Sequence, residues 1–320
     1  MFITLITYLI PVLQILVPVY LFYRIWSTHF STQLEWGLSA VYLMTILGFW
    51  FVIGRWDVTG YGFRYWGYAL LGAGAICSYQ RVMDRPVISD QINWHCWKVL
   101  EILLVIAIIV GAVRGYYPNV KGVELGFPLK GRSFYVVQGG AFPLINYHGL
   151  AAHSQKFALD INQLNSWGFR GASLMPENPN NYRIFGVRVV SPVSGTIISE
   201  TDSMPDQSPP HMKPEHAAGN HIWIRHEDLY ILLAHLKQGS ISVKAGQHIE
   251  EGEPLARVGN TGNTSEPHLH IHAVRISSDA LDRADKKLLG KGEPVPIRLR
   301  DEFFVRNEVF SSSQVKQSGR

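Results

Sequence analysis

The chain opens with long apolar runs and continues in short ones. Residues 2–22 carry no charged side chain, and residues 36–54 form a second uncharged run framed by Glu35 and Arg55. At ~1.5 Å per residue each is long enough to cross a hydrocarbon core of ~30 Å. Residues 62–79, apolar and rich in small side chains from Tyr65 onward, and residues 95–113, with Glu101 near the start, predict two further spans. Pro11 and Pro18 inside the first span are compatible with a membrane helix, which tolerates proline better than a soluble one. Glu101, close to a span end, reads as an interfacial anchor. The pattern therefore predicts a transmembrane region over residues 1–115 with about four helices.

From about Gly126 the periodicity changes. FYVVQGG, KFALDI, FGVRVVSPVSGTIIS, NHIWIRH, LYILLAHL and HLHIHAV are short alternating or continuous apolar pieces bounded by Gly, Pro, Asn or Asp, the mark of strands. A mostly antiparallel β domain follows, with residues 116–137 as linker and first strands and the domain proper over 138–300. Residues 200–219, polar and proline-rich, read as a surface loop, and residues 301–320 as a flexible tail.

Charge and cysteine refine this picture. With four spans both termini share one side. Arg24, Arg81, Arg85 and Lys98 lie in the loops of the other side, against Arg55, Arg64 and Arg114 on the terminal side, so the positive-inside rule puts both termini outside the cytoplasm. The net charge of +4 suits an anionic surface such as cell-wall polymer or lipid headgroups. No run of interleaved basic and aromatic residues suggests nucleic acid. Cys77 and Cys96 both fall in or beside the membrane part, so the β domain has no disulfide framework and no thiolate metal site. A metal there must be held by histidine and carboxylate.

Candidate chemistry concentrates in GNTGNTSEPHLHIH, residues 259–272. His268, His270 and His272 alternate, so in a strand they share one face. Neutral imidazole is both a common zinc ligand and a proton carrier near pH 7.

The ordered segment AHLKQGSISVKAGQHIEEGEPLARVGNTGNTSEPHLHIH resembles the lysostaphin/LytM-type zinc metallopeptidases, which cut peptide cross-links in peptidoglycan. Upstream, SPVSGTI and Gly219-Asn220 stand where that family has its (A/S)PxxGxV and GNxV segments, so the resemblance covers about 138–274. It implies a LytM-like β fold, one Zn2+ per chain and a peptidoglycan peptide as substrate. Asp160 of KFALDI resembles the family's metal-binding aspartate, and His270 its last metal ligand. The first ligand is either His148 of INYH or His153 of AAHSQ. His268 resembles the general base and His235 its partner at the oxyanion, while His272 reads as a strand-end side chain. His211, His216, His221, His226 and His248 read as surface residues.

Three protein ligands leave a fourth position for water, as catalytic zinc sites do. The implied protein is an enzyme anchored in the bacterial inner membrane, with the lipid bilayer as partner and the β domain extracytoplasmic. Three other readings share parts of the pattern. One is a catalytically inactive LytM-like module that binds wall or regulates other hydrolases. Another is a carrier domain with the same VKAGQHIEEGEPLARVGN hairpin, and the third a structural zinc domain.

Overall fold

The computed structural model describes residues 2–88, 93–118, 121–131, 133–276, 288–299 and 301–311. The chain divides into two compact units, Met1–Val113 and Arg114–Arg320.

The first unit is helical: α1 (Phe2–Ser27), α2 (Gln33–Ile53), the short α3 (Trp56–Thr59), α4 (Trp66–Tyr79) and α5 (Asn93–Arg114). Thr32 caps α2 by accepting from the Glu35 N–H, while the Glu35 carboxylate accepts from the Ser31 N–H, so orphan donors at the helix start are met locally. Contacts along the helices give their directions. The α2 start meets the α4 end, where Trp36 donates to the Ser78 hydroxyl, whereas Leu47 lies beside Gly67 at the α4 start. Gly67 also faces Pro18 of α1, and Gly74 faces Phe22 and Ile25. Thus α4 runs with α1 and against α2. Helix α5 runs with α2, with Lys98 beside Ser39 and Ile109 beside Gly48. Gly67 and Gly74 let backbones approach closely, the usual means of packing apolar helices in lipid.

Among the described residues, three helices are long and apolar enough to cross a membrane: Leu9–Ser27, Gln33–Ile53 and Cys96–Arg114. The span expected over 62–79 is shorter than anticipated, because its α-helix has only 14 residues. It continues a 3-10 turn over Tyr61–Tyr65, and the 19 residues together rise about 31 Å at ~2.0 and ~1.5 Å per residue.

The second unit is built on strands β1 (Val123–Leu125), β2 (Phe134–Gln138), β3 (Leu159–Gln163), β4 (Arg188–Val190), β5 (Gly195–Thr201), β6 (His221–His226), β7 (Leu229–Ala234), β8 (His248–Ile249), β9 (Pro254–Arg257), β10 (Leu269–Arg275), β11 (Glu293–Val295), β12 (Ile297–Leu299) and β13 (Val309–Phe310). Nine of them make one antiparallel sheet in the order β13-β2-β3-β10-β7-β6-β5-β8, with β11 also on β10. Strands β4 and β9 form a separate antiparallel pair, and β1 and β12 a parallel one. One face carries the main core, to which Leu269, Ile271 and Ala273 of β10 contribute. The alternate residues His270, His272 and Val274 point to the other face, where Trp223, Tyr230, Leu232 and Val274 form a smaller apolar cluster.

Two sequence expectations change here. Residues 301–311 are part of the fold: β13 pairs with β2, and Phe304, Val305 and Phe310 are buried, because apolar side chains precede the polar end. The remainder of the expected tail, 312–320, lies outside the described residues. The segment 200–219 is not a loose loop either. The Asn260 N–H donates to Asp206, and Gln207 donates through its backbone to the Asn260 carbonyl and through its side chain to that of Gly262. The polar residues that made it look solvated supply partners for a tight turn.

Candidate metal centre and active site

The register of the sheet builds the centre. Strands β3 and β10 are antiparallel neighbours with His270 directly opposite Asp160. Such cross-strand pairs sit about 5 Å apart, which here brings His270 Nδ1 to 2.9 Å from Asp160 Oδ1. His148 reaches the other carboxylate oxygen, with Nε2 2.9 Å from Asp160 Oδ2. The potential ligand atoms of His148, Asp160 and His270 all lie within 4.8 Å of one another.

A folded loop between β2 and β3 delivers His148. Asn146 is buried, its amide lying within 2.9–3.2 Å of the carbonyls of Gly140, Lys156 and Ala158, and its Oδ1 accepts from the His148 N–H at 3.3 Å. Gln138, opposite Asp160 on β2, donates to Asp160 Oδ2 at 3.0 Å and accepts from the Tyr147 N–H at 2.9 Å. One glutamine thus ties the aspartate to the turn that starts the helix α6 (His148–Ala151). His153, the other sequence candidate, points away, its side chain 69% exposed and Nε2 3.6 Å from Glu293. Between His148 and β3 the chain folds into α6 and a 3-10 turn over His153–Gln155 and forms no continuous strand.

His235 and His268 complete a cluster of imidazoles, their ring centroids 4.8 Å apart and His235 5.8 Å from His270. Both use Nδ1 in the same way. His235 Nδ1–H donates to the Thr261 carbonyl at 2.8 Å, and His268 Nδ1–H to the Glu266 carbonyl at 2.9 Å. A carbonyl only accepts, so each ring carries a proton on Nδ1, and His268 turns its Nε2 towards Asp160 Oδ1 at 3.4 Å. His235 adopts φ 62°, a left-handed conformation rare for a residue with a Cβ, immediately after β7. The turn that supplies the Thr261 carbonyl is packed against Gly219, where a Cβ would lie 2.2 Å from the Thr261 oxygen. Glu266 is held by a buried ion pair, its Oε2 2.7 Å from Arg170 Nε.

The electrostatics divide the histidines. Burial pushes the Asp160 carboxyl up, but the His148 and His268 imidazoles outweigh it and hold the group well below the usual carboxylate range. Burial drives His270 down to about 4 against the pull of Asp160. Burial, reinforced by His268 and His270, holds His235 well below an ordinary imidazole. His268 is raised, because the Asp160 charge and hydrogen bond exceed the cost of its burial. Two neutral-leaning or carboxylate-facing imidazoles and one ionised carboxylate form an N, N, O donor set that fits zinc. A cavity of about 340 Å³ lined by His148, His235, His270, Ala217, Asn263 and Leu289 opens beside them.

The other histidines lie elsewhere. His211, His216 and His248 are exposed, whereas His221 and His226 are half-buried and bond through Nδ1 to the carbonyls of Gly219 and Ser194. His272, expected at a strand end, is buried in mid-strand on the site's face, because β10 continues to Arg275. Gln138, Asn146 and Arg170 gave no sign in the sequence, although Asn146 stands two residues before His148.

Residues 183–283 match the sequence model of peptidase family M23. The chain carries an M23 peptidase domain. Over 90 residues it is 36% identical to an uncharacterized metalloprotease of Haemophilus influenzae, covering 28% of this chain and 18% of that protein. Over 148 residues it is 28% identical to the peptidoglycan DD-endopeptidase ShyC of Vibrio cholerae, covering 42% and 33%. A zinc-containing peptidase from Vibrio cholerae, known as a crystal structure, shares 29% identity over 29% of this chain and 24% of that one, with a TM-score of 0.22. The chain thus spans a third or less of the length of these relatives. The M23 match includes His235, His268 and His270; His148 and Asp160 precede it and join the centre through the β2–β3 loop and the β3–β10 register.

Proposed function

We propose that the protein is a membrane-anchored zinc endopeptidase that hydrolyses peptide cross-links of peptidoglycan. The observation that carries the reading is the convergence of His148, Asp160 and His270 beside His235 and His268 in an M23 domain. His148, Asp160 and His270 would hold one zinc per chain. A zinc ion bound there lowers the pKa of water towards ~7 and polarises the scissile carbonyl.

The chain's own residues supply the proton transfers. His268 Nε2 takes the proton of the attacking water and, as imidazolium, gives it to the leaving amine. The sequence reading gave His235 a donor role at the oxyanion. Its Nδ1 proton is committed to Thr261 and burial keeps the ring neutral, so its Nε2 serves as an acceptor that orients the water. Gln138 keeps Asp160 turned towards the histidines.

The alternating directions of α1, α2, α4 and α5 support four crossings with both ends of the helical unit on one side. Taken with the excess of Arg and Lys in the loops of the opposite side, it supports a location of the M23 domain outside the inner membrane, beside the wall. The presence of every catalytic and ligand residue favours an enzyme over an inactive wall-binding module. The test is digestion of intact peptidoglycan by the purified full-length chain, with and without chelator. New amino groups released only with metal present are expected, and none under either condition refutes the reading.

A further inference from the structure

We propose that His272 is a positioning residue for His270, holding that imidazole in the tautomer and orientation a metal ligand requires; the inference rests on the zinc reading above. His272 is 1% exposed on a face otherwise filled by Trp223, Leu232 and Val274, where an apolar side chain would be expected from its surroundings. Burying a polar ring there is unfavourable without a partner. Its Nδ1 lies 2.8 Å from His270 Nε2, whereas its Nε2 is buried with no hydrogen-bond partner among the described residues. The Trp223 ring stands perpendicular to it, centroids 5.6 Å apart. Among the described residues, the one polar contact of His272 is therefore with His270.

The proton positions follow in sequence. His270 presents Nδ1 towards Asp160, so a ligating His270 needs a bare Nδ1 and carries its proton on Nε2. That N–H points at His272 Nδ1, which must accept, leaving the His272 proton on the buried Nε2. Ligating histidines commonly donate their second nitrogen to a carboxylate or backbone carbonyl, and that contact sets the tautomer. Here a neutral imidazole takes the part of the carboxylate and adds no second negative charge behind Asp160.

The test compares zinc affinity, by chelator competition, in the full-length wild type, His272→Leu and His272→Gln. Leucine fills the apolar site without an acceptor; glutamine restores one. Loss of an outer-shell partner typically weakens metal binding 10–100-fold. The expected result is a loss of that size for leucine and recovery to within several-fold of wild type for glutamine. Equal affinity in wild type and the leucine variant, or glutamine no better than leucine, overturns the proposal. Histidine 15N spectra of the zinc-loaded wild type need no variant: His270 should be protonated on Nε2 and His272 bare on Nδ1, and a protonated His272 Nδ1 overturns it. A wild type that binds no zinc instead refutes the metal-site reading itself.

Discussion

His270 and Asp160 face each other across β10 and β3, Nδ1 to Oδ1 at 2.9 Å, and this pair anchors the centre. Its register also decides what lies behind it. One residue of slip would turn His270 and His272 into the main core and bring Leu269 or Ile271 to the carboxylate.

The ligand set makes the first prediction. Asp160→Ala, His270→Ala and His148→Ala should each lose tight zinc binding, because three protein ligands leave an open site with none to spare. His153→Ala should bind as wild type, since its side chain faces solvent near Glu293. Metal content after dialysis reads all four. Loss of zinc in His153→Ala with retention in His148→Ala would reverse the assignment.

Catalysis and binding separate in the second prediction. His268→Ala and His235→Ala remove Nε2 groups but none of the three clustered ligands, so zinc content should persist while cleavage falls. For the general base the fall should be roughly 10²–10⁴-fold. Released amino groups from peptidoglycan, measured with zinc content on the same samples, check this, and a fully active His268→Ala would remove the mechanism drawn on these residues.

The third prediction concerns pH and the metal-free protein. His270, His235 and His272 titrate below an ordinary imidazole in the folded state, His270 at about 4, chiefly through burial. Between about 6.5 and 4 the unfolded chain therefore binds more protons than the folded one, and the stability these groups contribute is lost as pH falls through that window. His268 is raised and acts oppositely, its stabilisation being complete below about 6.5 and lost as pH rises through its folded value. With His221, also lowered by burial, four imidazoles oppose His268 and the burial-raised carboxyls of Asp206 and Glu308, which gives a net loss on acidification. Thermal unfolding of the chelator-treated chain from pH 7.5 to 4 should show a falling midpoint, and a rising one would contradict the burial argument.

Topology gives the fourth. A reporter fused after residue 320 should be active only outside the cytoplasm, and one inserted near Arg85 only inside it. The lone Arg24 with Arg81, Arg85 and Lys98 supplies the cytoplasmic charge. A cytoplasmic C-terminus would defeat both the four-crossing arrangement and the wall substrate.

The sequence by itself determined the two-part organisation, since uncharged runs of about twenty residues and short alternating pieces demand different solvents and periods. It also determined the β10 chemistry: alternation alone puts His268, His270 and His272 on one face. Local pattern could not choose between His148 and His153. That choice rests on a hub made by Asn146 and Gln138, whose partners are 6 to 22 residues away and satisfy buried carbonyls and a carboxylate. Nor could it show that the polar segment 200–219 braces the 259–262 turn, because hydrophilicity looks the same whether water or a backbone accepts the hydrogen bonds. The orientation of His235 was decided by the Thr261 carbonyl and the burial of His272 by the face that Trp223 and Leu232 enclose. Such facts belong to the folded state: which nitrogen of His235 keeps its proton depends on the carbonyl of Thr261, a turn residue far along the chain that the fold brings to 2.8 Å.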